Sequence, residues 1–206
     1  MVYGSIMKVA ARLLPLGLLF LTGAGDAPLL SPSRDVTIIY RMVKTVVAAD
    51  ASKLVVRQDA GGSRMRLDAY IFDDAKFPYE SAIYDRKSND LTSLRFARQL
   101  AVDVPNNETG IPGFSLTASM TFKRLEDSSV NGATCTNWDI VVPPNQTWTG
   151  CVDQNGVLLR SVSPTREVEA TSVTFDPLPA DTFDIPADLR HVPAPKQDAG
   201  KAAQPQ

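Results

Sequence analysis

The sequence predicts a mainly β, β-rich α+β domain: a curved antiparallel sheet or incomplete β-barrel with few short helices. Three observations carry that reading. From Asp35 onward apolar residues recur at a period of two, the signature of strands with one buried face. Turn chemistry interrupts these runs at short intervals, as at Gly61-Gly62, Ser88-Asn89-Asp90 and Asn155-Gly156. No long amphipathic helix is evident, and only 93–100 and 180–189 could hold a helical turn or two.

The chain begins with a segment outside that domain. Lys8 and Arg12 precede an apolar run from Leu13 to Leu21, followed by Thr22-Gly23-Ala24, the outline of a secretory signal peptide over residues 1–24. The run is about half of the ~20 residues that span a bilayer. No later stretch approaches that length, so no integral membrane segment is expected in the mature chain. Cleavage after Ala24 is preferred over cleavage after Ala27, which would put Pro28 first. Of 206 residues 182 then remain, the size of one domain with its own core. Loss of Lys8 and Arg12 takes the net charge from −2 to −4. The remaining Lys and Arg are spread out, which excludes a nucleic-acid footprint. The leader looks bacterial, so the expected location is the periplasm, as a soluble protein, where disulfides persist.

After a lead-in over 25–34, a single domain is expected over 35–190. Val36, Ile38, Tyr40 and Met42 alternate with Thr37, Ile39, Arg41 and Val43 to form the first strand. Shorter strands follow over 53–58, 63–70, 79–85 and 91–97. Residues 103–113 are rich in Pro, Asn and Gly and read as a long loop, a candidate lid or mouth. Phe114, Leu116, Ala118, Met120 and Phe122 alternate with Ser115, Thr117, Ser119 and Thr121, which predicts a strand over 114–122; a helix over 114–123 is the alternative. Further strands are expected over 134–142, 147–153, 157–162 and 167–175. Asn155-Gly156 suits a type I′ hairpin, with a bulged three-residue loop over 154–156 as the competing register. From His191 to Gln206, Pro mixed with Ala, Lys and Gln reads as a disordered tail.

Cys135 and Cys151 are the only cysteines, and in an oxidising compartment they form one disulfide. They are symmetric about Pro143, and so are Trp138 and Trp148. A hairpin turning at Pro143 would set the sulfurs opposite each other and the tryptophans opposite each other. Residues three apart on a strand point to opposite faces, so the tryptophans form an aromatic floor and the cysteines a stapled, polar face. The bond is structural, since nothing suggests a Cys-x-x-Cys redox pair. The tryptophan face is either packed core or the wall of a partly open apolar cavity.

Much catalytic chemistry is missing. His191 is the only histidine and falls in the expected tail, which argues against a Ser-His-Asp or Cys-His apparatus. No cluster has zinc spacing, and Asp73-Asp74, Asp85 and Asp90 lack the ligand ladder of a calcium loop. No cofactor, metal or catalytic residue is therefore expected. A carboxylate pair for glycoside hydrolysis is one alternative, with Asp68, Glu80, Asp85 and Asp139 as its candidates.

Cys135-x-x-Trp138, the run from Cys151 to Arg160 and Tyr84-Asp85-Arg86 resemble segments of small uncharacterised periplasmic proteins related to the outer-membrane lipoprotein carrier (LolA/LolB-like) family. In layout the resemblance spans 35–189. It takes in the long first strand, a basic strand with Arg64, Arg66 and Asp68, and the closing Phe183-Asp184-Ile185-Pro186. It implies an incomplete, strongly curved barrel whose apolar concave face is covered by helices and holds acyl chains. The residues lead to a similar place, because strands with one apolar face must close on themselves or pack on something, and a curved sheet leaves a concavity. The expected function is non-enzymatic binding of a lipid or other apolar small molecule, lined by Tyr40, Phe114, Phe122, Trp138 and Trp148. An envelope protein-interaction module using an exposed sheet edge is the other alternative, and its protein partner is not legible in the sequence.

Overall fold

The computed structural model describes residues 27–46, 51–104 and 108–193; the expected leader and the tail beyond 193 lie outside them. Twelve strands follow in order: β1 (Val36–Thr45), β2 (Lys53–Gln58), β3 (Arg64–Tyr70), β4 (Glu80–Asp85), β5 (Asp90–Arg95), β6 (Leu100–Val104), β7 (Thr121–Val130), β8 (Ala133–Val142), β9 (Gln146–Val152), β10 (Leu158–Val162), β11 (Arg166–Thr174) and β12 (Arg190–Val192). They form one open, curved sheet in the order β12-β6-β5-β4-β3-β2-β1-β11-β10-β9-β8-β7, not closed into a barrel. Every described pairing is antiparallel except β12 on β6. The chain thus makes two meanders, β2 to β6 and β7 to β11, and β1 joins them by pairing with β2 on one side and β11 on the other.

Period-two alternation decides what each face meets. On the inner face Ile38, Tyr40, Leu54, Val56, Trp138 and Ile140 belong to one large core. On the outer face of β4 to β6 a second, smaller cluster of Ile83, Leu94 and Ala101 packs beneath Leu189, Phe183 and Ile185. The second cover is the stretch after β11, which crosses the sheet without regular structure. Leu178 N donates to Asp35 Oδ2 at 3.0 Å, Arg66 Nη1 donates to Thr182 O at 3.1 Å, and the Arg64 guanidinium lies 4.4 Å from the Phe183 ring. This stretch returns the chain to the far edge, where β12 takes in His191 and Val192, two residues that composition assigns to the tail. His191 Nε2 lies 2.9 Å from Asp103 Oδ1.

The strand expected over 114–122 is not there, and neither is the alternative helix. Residues 111–120 are turns and irregular backbone, and β7 begins only at Thr121. Phe114, Leu116 and Met120 are buried in the inner core as the alternation suggested. Ser115 and Thr117 are buried too, at 0% and 5% exposure, while Ala118 is exposed. A strand with one wet face would do neither. The segment folds on itself instead: Phe114 N and Ser115 N both donate to Ile111 O at 3.0 Å, and Ile111 N donates to Ser115 Oγ at 2.8 Å. Gly110 makes this possible, with φ of 67° and a position where a Cβ would collide with the Ser115 side chain.

The Cys135–Cys151 disulfide is present, with Cα atoms 5.4 Å apart. The register around it differs from the expected one by two residues. Asn137 faces Cys151, Trp138 faces Gly150 and Ile140 faces Trp148, so neither cysteines nor tryptophans are directly opposite. Asn145 N donates to Val142 O at 2.9 Å and leaves Pro143, Pro144 and Asn145 as a three-residue loop centred on Pro144, with a cis bond between the prolines. A slip of two keeps side-chain parity, so both tryptophans still share the inner face away from the disulfide. The cysteines are not on an open polar face: both are buried, with Ser128 Oγ 3.1 Å from Cys151 Sγ.

Of the two registers open at Asn155-Gly156 the structure takes the three-residue loop. Asp153 N donates to Val157 O at 2.9 Å, and Asp153 Oδ1 accepts from Asn155 N and Val157 N, each at 2.8 Å. Gly156, at φ of 79°, seats the lead-in, since a Cβ there would lie 2.6 Å from Ser31 O. Sequence reasoning also missed the Asn131-Gly132 hairpin between β7 and β8. A register shift in β11 accompanies it: Ile39 faces Ser172 and Tyr40 faces Ala170, so Thr171 is the extra residue, and the Asn131 side-chain amide donates to Ala170 O.

Two expectations follow. Replacing both cysteines with serine should cost about 3 kcal/mol, the loop-closure value for a crosslink of this span, read as a lower urea midpoint; an unchanged midpoint would mean that the hairpin needs no staple. Asp35 accepts backbone N–H bonds from Leu178 and Ala60, and these hold its carboxyl below the usual carboxylate range. A lowered pKa contributes stability above the unfolded value and loses it as pH falls through the folded one. Asp35→Asn should therefore destabilise the protein at pH 7, and its gap to wild type should close as pH falls below about 4. A pH-independent gap would contradict this.

Candidate ligand-binding cleft

The site grows from β1. Tyr40 is fully buried, its hydroxyl donates to Leu158 O at 2.5 Å, and burial pushes its phenol far above the ordinary value. Against its ring stands Phe114, edge to face, with centroids 5.4 Å apart and planes at 71°. Aromatic pairs of this kind add roughly 0.5–1.5 kcal/mol beyond burial. Arg86, just after β4, ties the cover together: its Nη2 donates to Leu116 O at 3.0 Å and to Leu30 O at 3.4 Å, binding segment 111–120 and the lead-in to the sheet.

The middle of the inner face is consequently filled. The void left between Tyr40, Phe114, Leu116 and Leu158 is about 10 Å³, room for about one water. At one margin the cover stands away from the sheet. There a cleft of about 600 Å³ opens between Pro112, Gly113 and Phe114 on one side and Trp148, Val168 and the β10–β11 turn on the other. The Trp148 side chain is buried, and its Nε1 has no hydrogen-bond partner among the described residues. A second, smaller pocket of about 150 Å³ lies across the inner face of β2 to β5, floored by Ala51, Ala69, Ala82 and Ser93. Arg166, the first residue of β11, lines both.

The five residues expected to line a site do not share one cavity. Phe114 and Trp148 face each other across the 600 Å³ cleft, and Tyr40 lies behind Phe114. Trp138 lines a separate open cleft of about 620 Å³ beside Leu29, Asp127 and Asp153. Phe122 lines a third, of about 360 Å³, near Ile140 and Thr147. Arg166 escaped sequence reasoning because nothing local signals that the start of β11 adjoins segment 111–120.

The four candidate acids do not converge. Asp68 lies on the outer face, where Arg57, Arg66 and Ser81 occupy its oxygens. Glu80, on the inner face, accepts from Ser93. Asp85 accepts the backbone N–H groups of Lys87 and Ser88, and Asp139 accepts from Thr149 on the far side of the sheet. Among the described residues no three His, Cys, Asp or Glu side chains gather as a metal site, and no helix is long and apolar enough to cross a membrane. The free edge of β7 carries a register shift between Arg124 and Asp127, whose side chains pair at 3.0 Å, and a kinked, charged edge discourages strand addition.

No protein-family model and no curated protein matches the sequence. Solved structures do. An uncharacterized conserved protein from Thermus thermophilus matches with TM-score 0.51 at 7% identity, over 79% of this chain and 91% of that one. MucB matches with TM-score 0.44 at 14% identity, over 79% of this chain and 62% of its own. A LolA superfamily protein from Nitrosomonas europaea matches with TM-score 0.36 at 9% identity, over 75% and 92%. The Thermus protein shares the fold; at the lower TM-scores nothing about function follows.

Phe114 is the contact on which the cover rests. Phe114→Ala should destabilise by about 3 kcal/mol, the low end for a buried aromatic because the site borders open space. Urea unfolding measures it, and a loss below about 1 kcal/mol would mean that segment 111–120 is not packed on Tyr40.

Proposed function

We propose that this is a periplasmic, non-enzymatic binding protein that holds an apolar ligand, a lipid or acyl chain, in the cleft between segment 111–120 and the inner face of the sheet. The observation that carries this reading is the cleft itself: about 600 Å³, within the roughly 300–1,000 Å³ of small-molecule sites, and walled by Phe114, Trp148, Val168, Pro112 and Pro164. One wall is rigid sheet and the other is irregular chain held by few polar bonds, so the opening can widen without breaking a strand. Irregular chain here does the covering that the resemblance assigns to helices. Burial of chain carbons supplies the driving force, about 0.8 kcal/mol per CH₂. Part of that gain is offset by the freedom lost on association.

Other features support the setting. The leader pattern over 1–24 directs export, and a buried disulfide suits an oxidising compartment. The mature chain would then be one domain, with the lead-in seated against Gly156 and Arg86 as part of the fold. Sequestration needs no catalytic group, and the dispersed acids give it none.

The test uses N-phenyl-1-naphthylamine, a neutral fluorescent probe of apolar sites. Wild-type protein should bind it with a micromolar Kd. Gln146→Trp, an exposed position on the cleft rim, should weaken binding tenfold or more by filling the space while leaving the unfolding midpoint unchanged. Absence of binding, or binding indifferent to this substitution, contradicts the proposal.

A further inference from the structure

The start of β11 stands between two spaces. Val168 and Ala170 belong to the inner core, so Arg166, two residues before Val168 on the same strand, is directed to the same face. Among the described residues it alone borders both the 600 Å³ cleft and the 150 Å³ pocket. That pocket lies over β2 to β5, and β1 separates β11 from β2, so it is the side chain of Arg166 that reaches it. The floor between the two spaces is apolar. Val168 faces Met42 across the β1–β11 pairing, Met42 packs on the core, and Leu54, opposite Tyr40 on β2, begins the pocket. Beyond Leu54 the small side chains of Ala69 and Ala82 keep that floor low. Arg166 is also fixed in place: its N–H donates to Ser163 Oγ at 3.0 Å, its carbonyl accepts from Ser163 N at 2.8 Å, and it makes a further interaction besides. A held arginine lays an apolar stem along such a surface and closes it off as a large hydrophobe would.

We propose that Arg166 sets the length of chain this protein accepts: its side chain is a partition at the inner end of the cleft, and the pocket over β2 to β5 lies behind it as closed-off length of the same trough. This rests on the cleft being a site for an apolar chain and adds the residue that limits the chain. Each methylene buried strengthens binding about fourfold, so affinity climbs with length while carbons find room. It stops climbing where the chain meets Arg166. The partition acts by bulk, so an uncharged side chain of equal reach serves as well, and a short one opens the trough into the pocket.

Displacement of N-phenyl-1-naphthylamine from the mature protein by octanoate, decanoate, laurate, myristate and palmitate, each below its aggregation limit, tests it. With wild type, affinity should rise about fourfold per methylene and level off before palmitate. Arg166→Ala should move the levelling point to longer chains, so that palmitate gains about tenfold or more over wild type. Arg166→Met, which keeps the reach and drops the charge and its contacts, should keep the wild-type limit. Ala82→Leu added to Arg166→Ala should restore that limit by refilling the pocket, which shows where the extra carbons lie. Unfolding midpoints close to wild type show that each variant is folded, and if Arg166→Ala does not fold, Arg166→Val carries the same expectation. An unchanged limit in Arg166→Ala, the same lengthening in Arg166→Met, a lengthening that Ala82→Leu leaves in place, or a wild-type affinity that climbs through palmitate overturns the partition while the cleft reading stands. Displacement by none of the chains removes the cleft reading as well.

Discussion

The structure depends on the pairing of β1 with β11. Thr37 meets Thr174 and Thr45 meets Arg166, contacts between residues far apart in the chain, and they turn two meanders into one sheet. Everything local in this fold can form within a meander; this seam cannot. Loop-closure entropy must be met before such long-range pairing is rewarded. The seam is secured at Tyr40, which lies between Leu54 and Ala170, donates to Leu158 O and receives the edge of Phe114. One side chain thus joins both meanders, the next strand over and the segment covering them.

An open sheet of this width has two faces to dry and too little regular structure to do it. The outer face of β4 to β6 is dried by the chain after β11, and the inner face by segment 111–120 with the lead-in. Irregular cover satisfies its own backbone through bonds such as those between Ile111, Phe114 and Ser115, so it can sit on an apolar surface without a strand partner. It also covers imperfectly, and the cleft at Phe114 and Trp148 is where it fails to meet the sheet. Function in this reading follows from a packing problem solved incompletely at one margin.

How much of this was legible depends on what each residue serves. Strands β2 and β8 to β11 could be read because each is a short run rich in apolar and β-branched residues bounded by turn chemistry, even where, as at Leu54, Val55 and Val56, both faces are buried. Segment 111–120 could not, because Phe114, Leu116 and Met120 keep a period of two while Ser115 and Thr117 are also buried, satisfied by local hydrogen bonds that alternation does not encode. Strand β6 was lost for a related reason: Ala101 packs under the outer cover while Leu100 and Val102 face the other way, so no clean alternation survives. Cysteine spacing gave the disulfide and the shared face of the tryptophans, but the turn hydrogen bond from Asn145 to Val142 moved the register by two. Phe114 and Trp148 are expected as lining residues from their aromatic character, and both stand at the 600 Å³ cleft. Arg166 was invisible, because it reaches the cleft only through the chain segment that folds beside it.

The central claim is that an apolar chain lies between Phe114 and Trp148. Isotope-filtered NOE spectroscopy on the mature protein with uniformly ¹³C-labelled laurate tests it most directly. The account predicts cross-peaks from the chain methylenes to the rings of Phe114 and Trp148 and to the methyls of Val168. Cross-peaks confined to Trp138 or Phe122, or none at all, would contradict it.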